Sequence, residues 1–253
     1  MILYFSGTGN TRYAAQELGH LLDDNNVADM ASFFSSGKIT ESAGERVVWC
    51  FPVYSWGVPP VVENFIKTVD FPSASQAKHY MLATCGDDAG LTDKQWRKLM
   101  QSRAWRDVGA HTIIMPNIYV LMKGFDVDPI EIVDKKLEEA PFAIKRISES
   151  IINGGPDTLI PGAFPGVKSR IIFPWFKKFA MSAKPFHALP GCTGCGLCSR
   201  SCPMGNIDMD AEGPRWNDKC AMCLRCYHIC PQHVVAYGKS TDGKGVYRKL
   251  LSK

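Results

Sequence analysis

Apolar and polar positions along residues 1–152 switch repeatedly between two periods. Ile2–Phe5 is an unbroken apolar run, the pattern of a strand buried on both faces. Thr11–Leu22 then repeats at helical spacing, with Ala14, Ala15, Leu18, Leu21 and Leu22 on one face. Arg46–Val53 is a second buried-strand run. Pro59 and Pro60 stand where a helix opens, and Val61, Val62, Phe65 and Ile66 form its stripe. His79–Thr84 predicts another strand. Thr92 and Gln95 predict a capping box for a helix that turns Trp96, Leu99 and Met100 inward. His111–Met115 predicts a further strand. Asp128, Pro129 and Glu131 fit the N-cap, N1 and N3 positions of a last helix reaching about Ile152, which Pro141 is expected to kink or interrupt. The weakest strand is placed near Val27–Phe34. Five strands alternating with helices predict an α/β unit, a parallel sheet covered by helices on both faces.

Asn153-Gly154-Gly155-Pro156 breaks this rhythm and divides the chain into a unit at 1–152, a linker at 153–187 and a last unit at 188–253. Charge follows the division. Residues 1–150 carry 15 Lys/Arg against 19 Asp/Glu, and residues 151–253 carry 14 against 6. The net charge of +4 is too small to argue for nucleic acid, and no nucleic-acid motif is present. Within the linker, Lys168, Arg170, Lys177, Lys178 and Lys184 alternate with Ile171, Ile172, Phe173, Trp175, Phe176, Phe179 and Met181. This predicts an amphipathic helix packed between domains; a basic helix lying on a membrane is the competing expectation. No apolar run approaches the roughly 18 residues of a membrane span. Met1 leads straight into a strand, so no secretory leader is expected, and the cytoplasm is the expected compartment. Closely spaced cysteines there suggest metal ligation more than disulfides.

The chain has 10 cysteines, and eight of them crowd into 192–230. They form one pattern twice: Cys192-x2-Cys195-x2-Cys198-x3-Cys202-Pro203 and Cys220-x2-Cys223-x2-Cys226-x3-Cys230-Pro231. Zinc sites would use two pairs and leave cysteines spare in each copy. Residues 188–240 resemble bacterial-type ferredoxins with two [4Fe–4S] clusters, in which the fourth cysteine of each copy ligates the other cluster. The resemblance assigns Cys192, Cys195, Cys198 and Cys230 to one cluster and Cys220, Cys223, Cys226 and Cys202 to the other. Between the copies, Ile207–Asn217 reads as a hairpin turning at Gly213-Pro214. The six histidines show no ligand spacing, and His228 is expected at the surface.

Ser6-Gly7-Thr8-Gly9-Asn10-Thr11 joins the first strand to the first helix, where backbone amides, hydroxyls and the helix dipole make an anion site. Gly7 and Gly9 allow close backbone approach. A nucleotide P-loop would need a lysine here, and a dinucleotide fingerprint a small residue where Arg12 stands. The segment resembles the phosphate loop of flavodoxin, and the resemblance covers about 1–152. It implies a five-stranded sheet of order 2-1-3-4-5 and FMN as cofactor. Pro52 and Val53-Tyr54-Ser55-Trp56-Gly57 match the first flavin loop; Trp56 would stack on the ring and the Trp56–Gly57 peptide would meet N5 and could flip. Thr84-Cys85-Gly86-Asp87 matches the second. Asn117 and Tyr119 could reach the ring edge. The second loop lacks the aromatic that flavodoxins often place there, which suggests a ring face left open to another element.

Together these features resemble fused flavodoxin–ferredoxin proteins. The expected function is electron transfer between FMN and two [4Fe–4S] clusters, and on to a redox partner protein. The competing expectation is an FMN-dependent reductase of a quinone, nitro compound or nicotinamide-linked substrate, fed by the clusters.

Overall fold

The computed structural model describes residues 1–251. The first unit runs β1 (Ile2–Tyr4), α1 (Asn10–Leu21), β2 (Val27–Asp29), β3 (Arg46–Pro52), α2 (Pro60–Thr68), β4 (Lys78–Cys85), α3 (Thr92–Ser102), β5 (Arg106–Ile114) and α4 (Ile130–Asn153). Its strands are parallel, in the order β2-β1-β3-β4-β5 expected for a flavodoxin-like sheet. The period of two along β3 builds the layers. Val47, Trp49 and Phe51 pack with Val62, Phe65 and Ile66 of α2 and Trp96 of α3. Val48 and Cys50 face the other way, onto Ala14 and Leu18 of α1 and Ile144 and Ile147 of α4. Burial on both faces is why these strands read as continuous apolar runs.

Several local expectations change. Only Val27–Asp29 pairs with β1, because Asp29 turns its carboxylate onto the Ala31 amide and starts a 3-10 turn at Met30–Phe33. Thr92 and Gln95 form no capping box. Thr92 donates to Ala89 O, and Gln95 serves a loop of the site below. Asp128 does not cap α4, whose N-cap is Pro129. Pro141 neither ends nor divides α4: it sits on the exposed side, where water can satisfy the carbonyl it frees. The chain after α4 returns to the edge of the sheet. Thr158 exchanges backbone hydrogen bonds with β5 residues Thr112 and Ala110, and Ile160 O accepts from Ala89 N. This covers the free edge of β5.

The chain continues through α5 (Pro165–Val167), a π turn (Lys168–Ile172) and α6 (Phe173–Phe179), one helical run referred to below as the linker helix. The last unit contains β6 (Phe186–Ala188), α7 (Leu197–Arg200), β7 (Ile207–Asp210), β8 (Gly213–Trp216), α8 (Arg225–Ile229) and β9 (Val235–Tyr237). β7 and β8 form the predicted hairpin, and β6 pairs antiparallel with β9.

The two units exchange segments. Val120 and Leu121, just past β5, are buried with Met222, Leu224 and Tyr227 of the last unit. In return Tyr247 and Leu250 are buried with Ala14, Leu18 and Ile144 of the first. His228 knots the exchange, contrary to its expected surface position. It is fully buried, its Nε2 donates to Ile118 O at 2.9 Å, and its Nδ1 accepts from Tyr247 N at 3.1 Å. Both ring nitrogens are used in the neutral form, and burial lowers its pKa to about 4.

Candidate functional site

The site starts where β1 gives way to α1. Gly9 takes a left-handed φ of 97° as the N-cap, and Ser6 Oγ accepts from its amide at 3.1 Å. The first helical bond is Tyr13 N to Gly9 O, so the amides of Asn10, Thr11 and Arg12 find no acceptor among the described residues. No acidic residue lies in this first turn. The result is an anion cradle at the positive end of a helix. Thr11 Oγ1 lies 2.8 Å from Thr84 Oγ1 and ties the cradle to the end of β4. Asn10 Oδ1 accepts from Tyr247 OH at 2.7 Å, and its Nδ2 donates to Pro116 O at 3.0 Å.

The loop after β3 closes on itself. Tyr54 and Gly57 exchange backbone bonds of 2.9 and 3.0 Å, which forces Ser55 and Trp56 to φ of 45° and 64°. Such left-handed non-glycine residues are uncommon and cluster at functional sites. The Trp56–Gly57 peptide is held on both sides. Its carbonyl accepts from Ser169 Oγ at 2.8 Å and Gln95 Nε2 at 3.4 Å, while its N–H donates to Tyr54 O. Flipping it would break these bonds, so the expected mobility is restrained by the linker helix. Lys168 Nζ lies 5.1 Å over the Trp56 ring and 2.6 Å from Asp88.

The third loop is braced from behind. Asp128 Oδ2 accepts from Asn117 N at 2.8 Å and Lys136 Nζ at 2.7 Å, and Lys136 also donates to Gly86 O. Burial opposes the Asp128 charge, yet Lys136 and Asn117 hold its carboxyl below the usual range. Asp128 therefore orients Asn117, the role that displaces it from the helix cap. Burial, with Asp88 and Asp87 adding, pushes the Cys85 thiol up to about 12, so it stays protonated. Cys50 lies in the core, and burial raises it further.

These three loops and the segment after β5 surround one cavity of about 410 Å³. Every residue singled out for the flavin lines it except two. Gly9 forms the turn, and Gly57 instead packs against Phe173, whose ring a Cβ there would strike. Residues that sequence reasoning did not assign complete the wall. Ile172, Trp175 and Phe176 come from the linker helix, Met122 and Phe125 from the segment after β5, and Met222, Cys223 and Leu224 from the last unit. The linker helix thus adds two aromatics, Trp175 and Phe176, to the cavity wall.

The last unit touches the cradle directly. A Cβ on Gly7 would lie 3.0 Å from the Cys223 carbonyl carbon and closer still to its oxygen, and Gly9 is similarly crowded by Leu250. Arg225 donates across this junction to Gly7 O at 2.8 Å and Ser6 O at 2.7 Å. The close approach that Gly7 and Gly9 permit is therefore, in part, approach by the chain's own later segments.

None of the ten cysteines is in a disulfide. Cys192, Cys195, Cys198 and Cys230 line one small cavity of about 20 Å³. Burial raises the Cys198 thiol, and Cys230 and Cys192 add to it. Burial likewise raises Cys220, with Cys202 adding, and lifts Cys223 to about 12, with Cys220 and Cys202 adding. The two Cys loops share a backbone path. Gly194 and Gly196 take left-handed φ in the first, and Met222 and Leu224 occupy the same steps in the second. Three N–H groups reach sulfur in the second set: Asn206 N to Cys202, Met222 N to Cys220 and Trp216 Nε1 to Cys226, at 3.3–3.4 Å. The sets differ in access. Cys192 and Cys195 are exposed, whereas Cys226 is buried and Cys223 half-buried against the large cavity.

A flavodoxin-domain family model matches residues 1–121, and a 4Fe-4S dicluster-domain model matches residues 191–235. No curated protein matches the chain. Solved structures similar to it include the Trp repressor binding protein from Bacillus subtilis, at 17% identity, over 58% of this chain and 99% of that one, with a TM-score of 0.40. A Streptococcus pneumonia flavodoxin is 13% identical over 60% of this chain and 96% of its own, with a TM-score of 0.38. A flavone reductase is 13% identical over 95% of this chain and 85% of its own, also at 0.38.

Proposed function

The chain is a fusion of a flavodoxin domain with a 4Fe-4S dicluster domain, and from that premise we propose that it carries electrons along one internal line. The line runs between FMN in the large cavity, a [4Fe–4S] cluster on Cys202, Cys220, Cys223 and Cys226, and a second on Cys192, Cys195, Cys198 and Cys230. A redox partner protein meets the second cluster at the exposed Cys192 and Cys195. The observation that carries this order is that Cys223 lines the cavity and its carbonyl rests against Gly7.

In this reading the binding tasks fall to the residues that line the cavity. Ser6, Thr8, Asn10, Thr11 and the α1 amides would hold the phosphate; Tyr54, Ser55 and Trp56 would bound one side of the ring, and Cys85, Gly86, Asp87 and Asn117 its polar edge. Bound FMN exchanges one or two electrons, and each cluster exchanges one. Arg225 pins the nearer cluster's loop to the phosphate loop, so transfer between them needs no collision between modules.

A second reading has an observation of its own. The cavity keeps an apolar mouth, with Met122, Phe125, Ile172 and Trp175 exposed at its rim. That shape favours a small apolar or aromatic molecule reaching the ring, as in an FMN-dependent reductase fed by the clusters. Anaerobic reconstitution with FMN, iron and sulfide, followed by stopped-flow reduction, tests the carrier reading. Flavin and cluster bleaching should be kinetically linked at a rate independent of protein concentration. Clusters that stay oxidised beside reduced flavin would refute it.

A further inference from the structure

The linker helix has two faces, and the fold uses one. Phe173, Phe176 and Ser169 are buried, against Gly57, Tyr119 and the Trp56 carbonyl. On the other side Val167, Ile171, Trp175 and Phe179 recur at steps of four, with exposures of 49%, 66%, 52% and 59%, and Phe164, just before the helix, is 79% exposed. A solvated helix presents polar residues there. A continuous exposed apolar stripe marks a surface that something else covers.

The charges on the run itself have one sign. The same run carries Arg170, Lys177 and Lys178, with Lys184 beyond it, and no Asp or Glu occurs anywhere in 158–207. Lys177 is paired with Glu63, but Arg170 and Lys178 are exposed and have no acidic partner among the described residues. Lys178 Nζ sits 5.1 Å over the Phe179 ring, at the edge of the stripe. The stripe also continues into the cavity mouth. Trp175 belongs to both, and Met122 and Phe125 are exposed at the same rim.

We propose that this face docks on an anionic lipid bilayer, with the stripe in the acyl boundary, Arg170 and Lys178 at headgroup phosphates, and the cavity mouth turned toward the lipid. Pro165–Phe179 is about 22 Å long at helical rise. No helix among the described residues is long and apolar enough to cross a membrane, so the contact lies in the interface plane. Charge selects lipid over a second copy of the chain, because pairing two such faces would bring like charges together. Apolar molecules dissolved in the bilayer would then reach the cavity without crossing water. This goes beyond the electron-carrier reading and does not depend on it.

The test is flotation of the full holoprotein with phosphatidylcholine vesicles, with and without phosphatidylglycerol. The protein should float with the anionic vesicles and much less with neutral ones. Ile171→Glu with Phe179→Glu, both exposed and outside the cavity wall, should weaken binding at least about tenfold. Arg170→Gln with Lys178→Gln should cost about fivefold per cation on anionic vesicles alone. Flavin and cluster absorbance and the melting temperature should match wild type in both variants, which separates loss of docking from misfolding. Failure of the wild-type protein to float with anionic vesicles overturns the proposal. So does a dimer in sedimentation that the Ile171→Glu, Phe179→Glu variant dissolves.

Discussion

Gly7→Ala tests whether the junction between the cradle and the Cys223 loop matters. Gly7 does not hold a left-handed φ, so alanine costs little in backbone conformation. The cost is contact. The added Cβ would stand 3.0 Å from the Cys223 carbonyl carbon and 3.1 Å from its Cβ, with the carbonyl oxygen nearer. Carbon atoms rest about 3.5–4.0 Å apart, so the loops must separate by roughly half an ångström or more. Main chain meets main chain here, so no rotamer can relieve the clash. Overpacking of this kind costs about 1–3 kcal/mol. Separation also stretches the Arg225 bonds of 2.8 and 2.7 Å, and charge-assisted bonds contribute about 1.5 kcal/mol or more each. A combined loss of about 3 kcal/mol shifts the docked-to-undocked ratio of the modules about a hundredfold. Thermal unfolding followed by flavin and cluster absorbance should show a fall of several degrees, with the two signals no longer coincident. Stopped-flow reduction should show slower transfer from flavin to cluster. Gly166→Ala is the control. It lies in the linker helix with nothing within 4 Å of the added Cβ and should be neutral or slightly stabilising. A Gly7→Ala protein that melts and transfers electrons like wild type refutes the reasoning.

Three further outcomes follow from the same geometry. Cys202→Ala and Cys220→Ala should remove the same cluster, and Cys230→Ala and Cys192→Ala the other, by iron content and low-temperature paramagnetic spectra; pairing of Cys202 with Cys192 would reverse the assignment. Ser169→Ala removes the 2.8 Å bond to the Trp56 carbonyl and leaves Gln95 at 3.4 Å, which should release the peptide and shift the flavin midpoint potential; an unmoved potential would show that the clamp does not act on the ring. Burial lowers His111 to about 4, with Asp157 opposing and Arg97 reinforcing. Its unfolded form titrates near 6.5, so its contribution is complete above that pH and is lost as pH falls toward 4, by about 3 kcal/mol in all. Urea unfolding at pH 7 and 5 should therefore show a smaller drop in His111→Gln than in wild type, and equal drops would remove His111 as the cause.

The sheet was legible because double-sided burial leaves little room for polar residues in β3 and β4. The first residues of β5 were not, since it opens on the charged pair Arg106, exposed, and Asp107, half-buried. Thr92, Gln95 and Asp128 matched capping patterns locally, but two of them were claimed by partners in other loops. Gln95 holds the Trp56 turn, and Asp128 holds Asn117. The spacing within a helix's first turn cannot register demands from outside that turn. The match of 191–235 to a 4Fe-4S dicluster domain was legible because the cysteine spacing that signals it is confined to two short loops. Gly7 and Gly9 were legible as points of close approach, but not as contacts for Cys223 and Leu250, more than 200 residues away. His228 reads as a surface residue for the same reason: its hydrogen-bond partner, Ile118 O, belongs to the other unit. The linker aromatics were visible as an amphipathic pattern, yet nothing in that pattern assigned Trp175 and Phe176 to the cavity wall.

The crossing of Tyr247 and Leu250 onto the cradle also bears on the order of biogenesis. Synthesis runs from N- to C-terminus, so the cradle is made while Cys223, Arg225, Tyr247 and Leu250 are still unmade. The first unit can form its sheet in that interval, but the walls contributed by the last unit do not yet exist. Closure of the cavity must await the Cys-rich segment. Closing of the cavity and completion of the Cys-rich unit thereby become late, linked events in the life of one polypeptide.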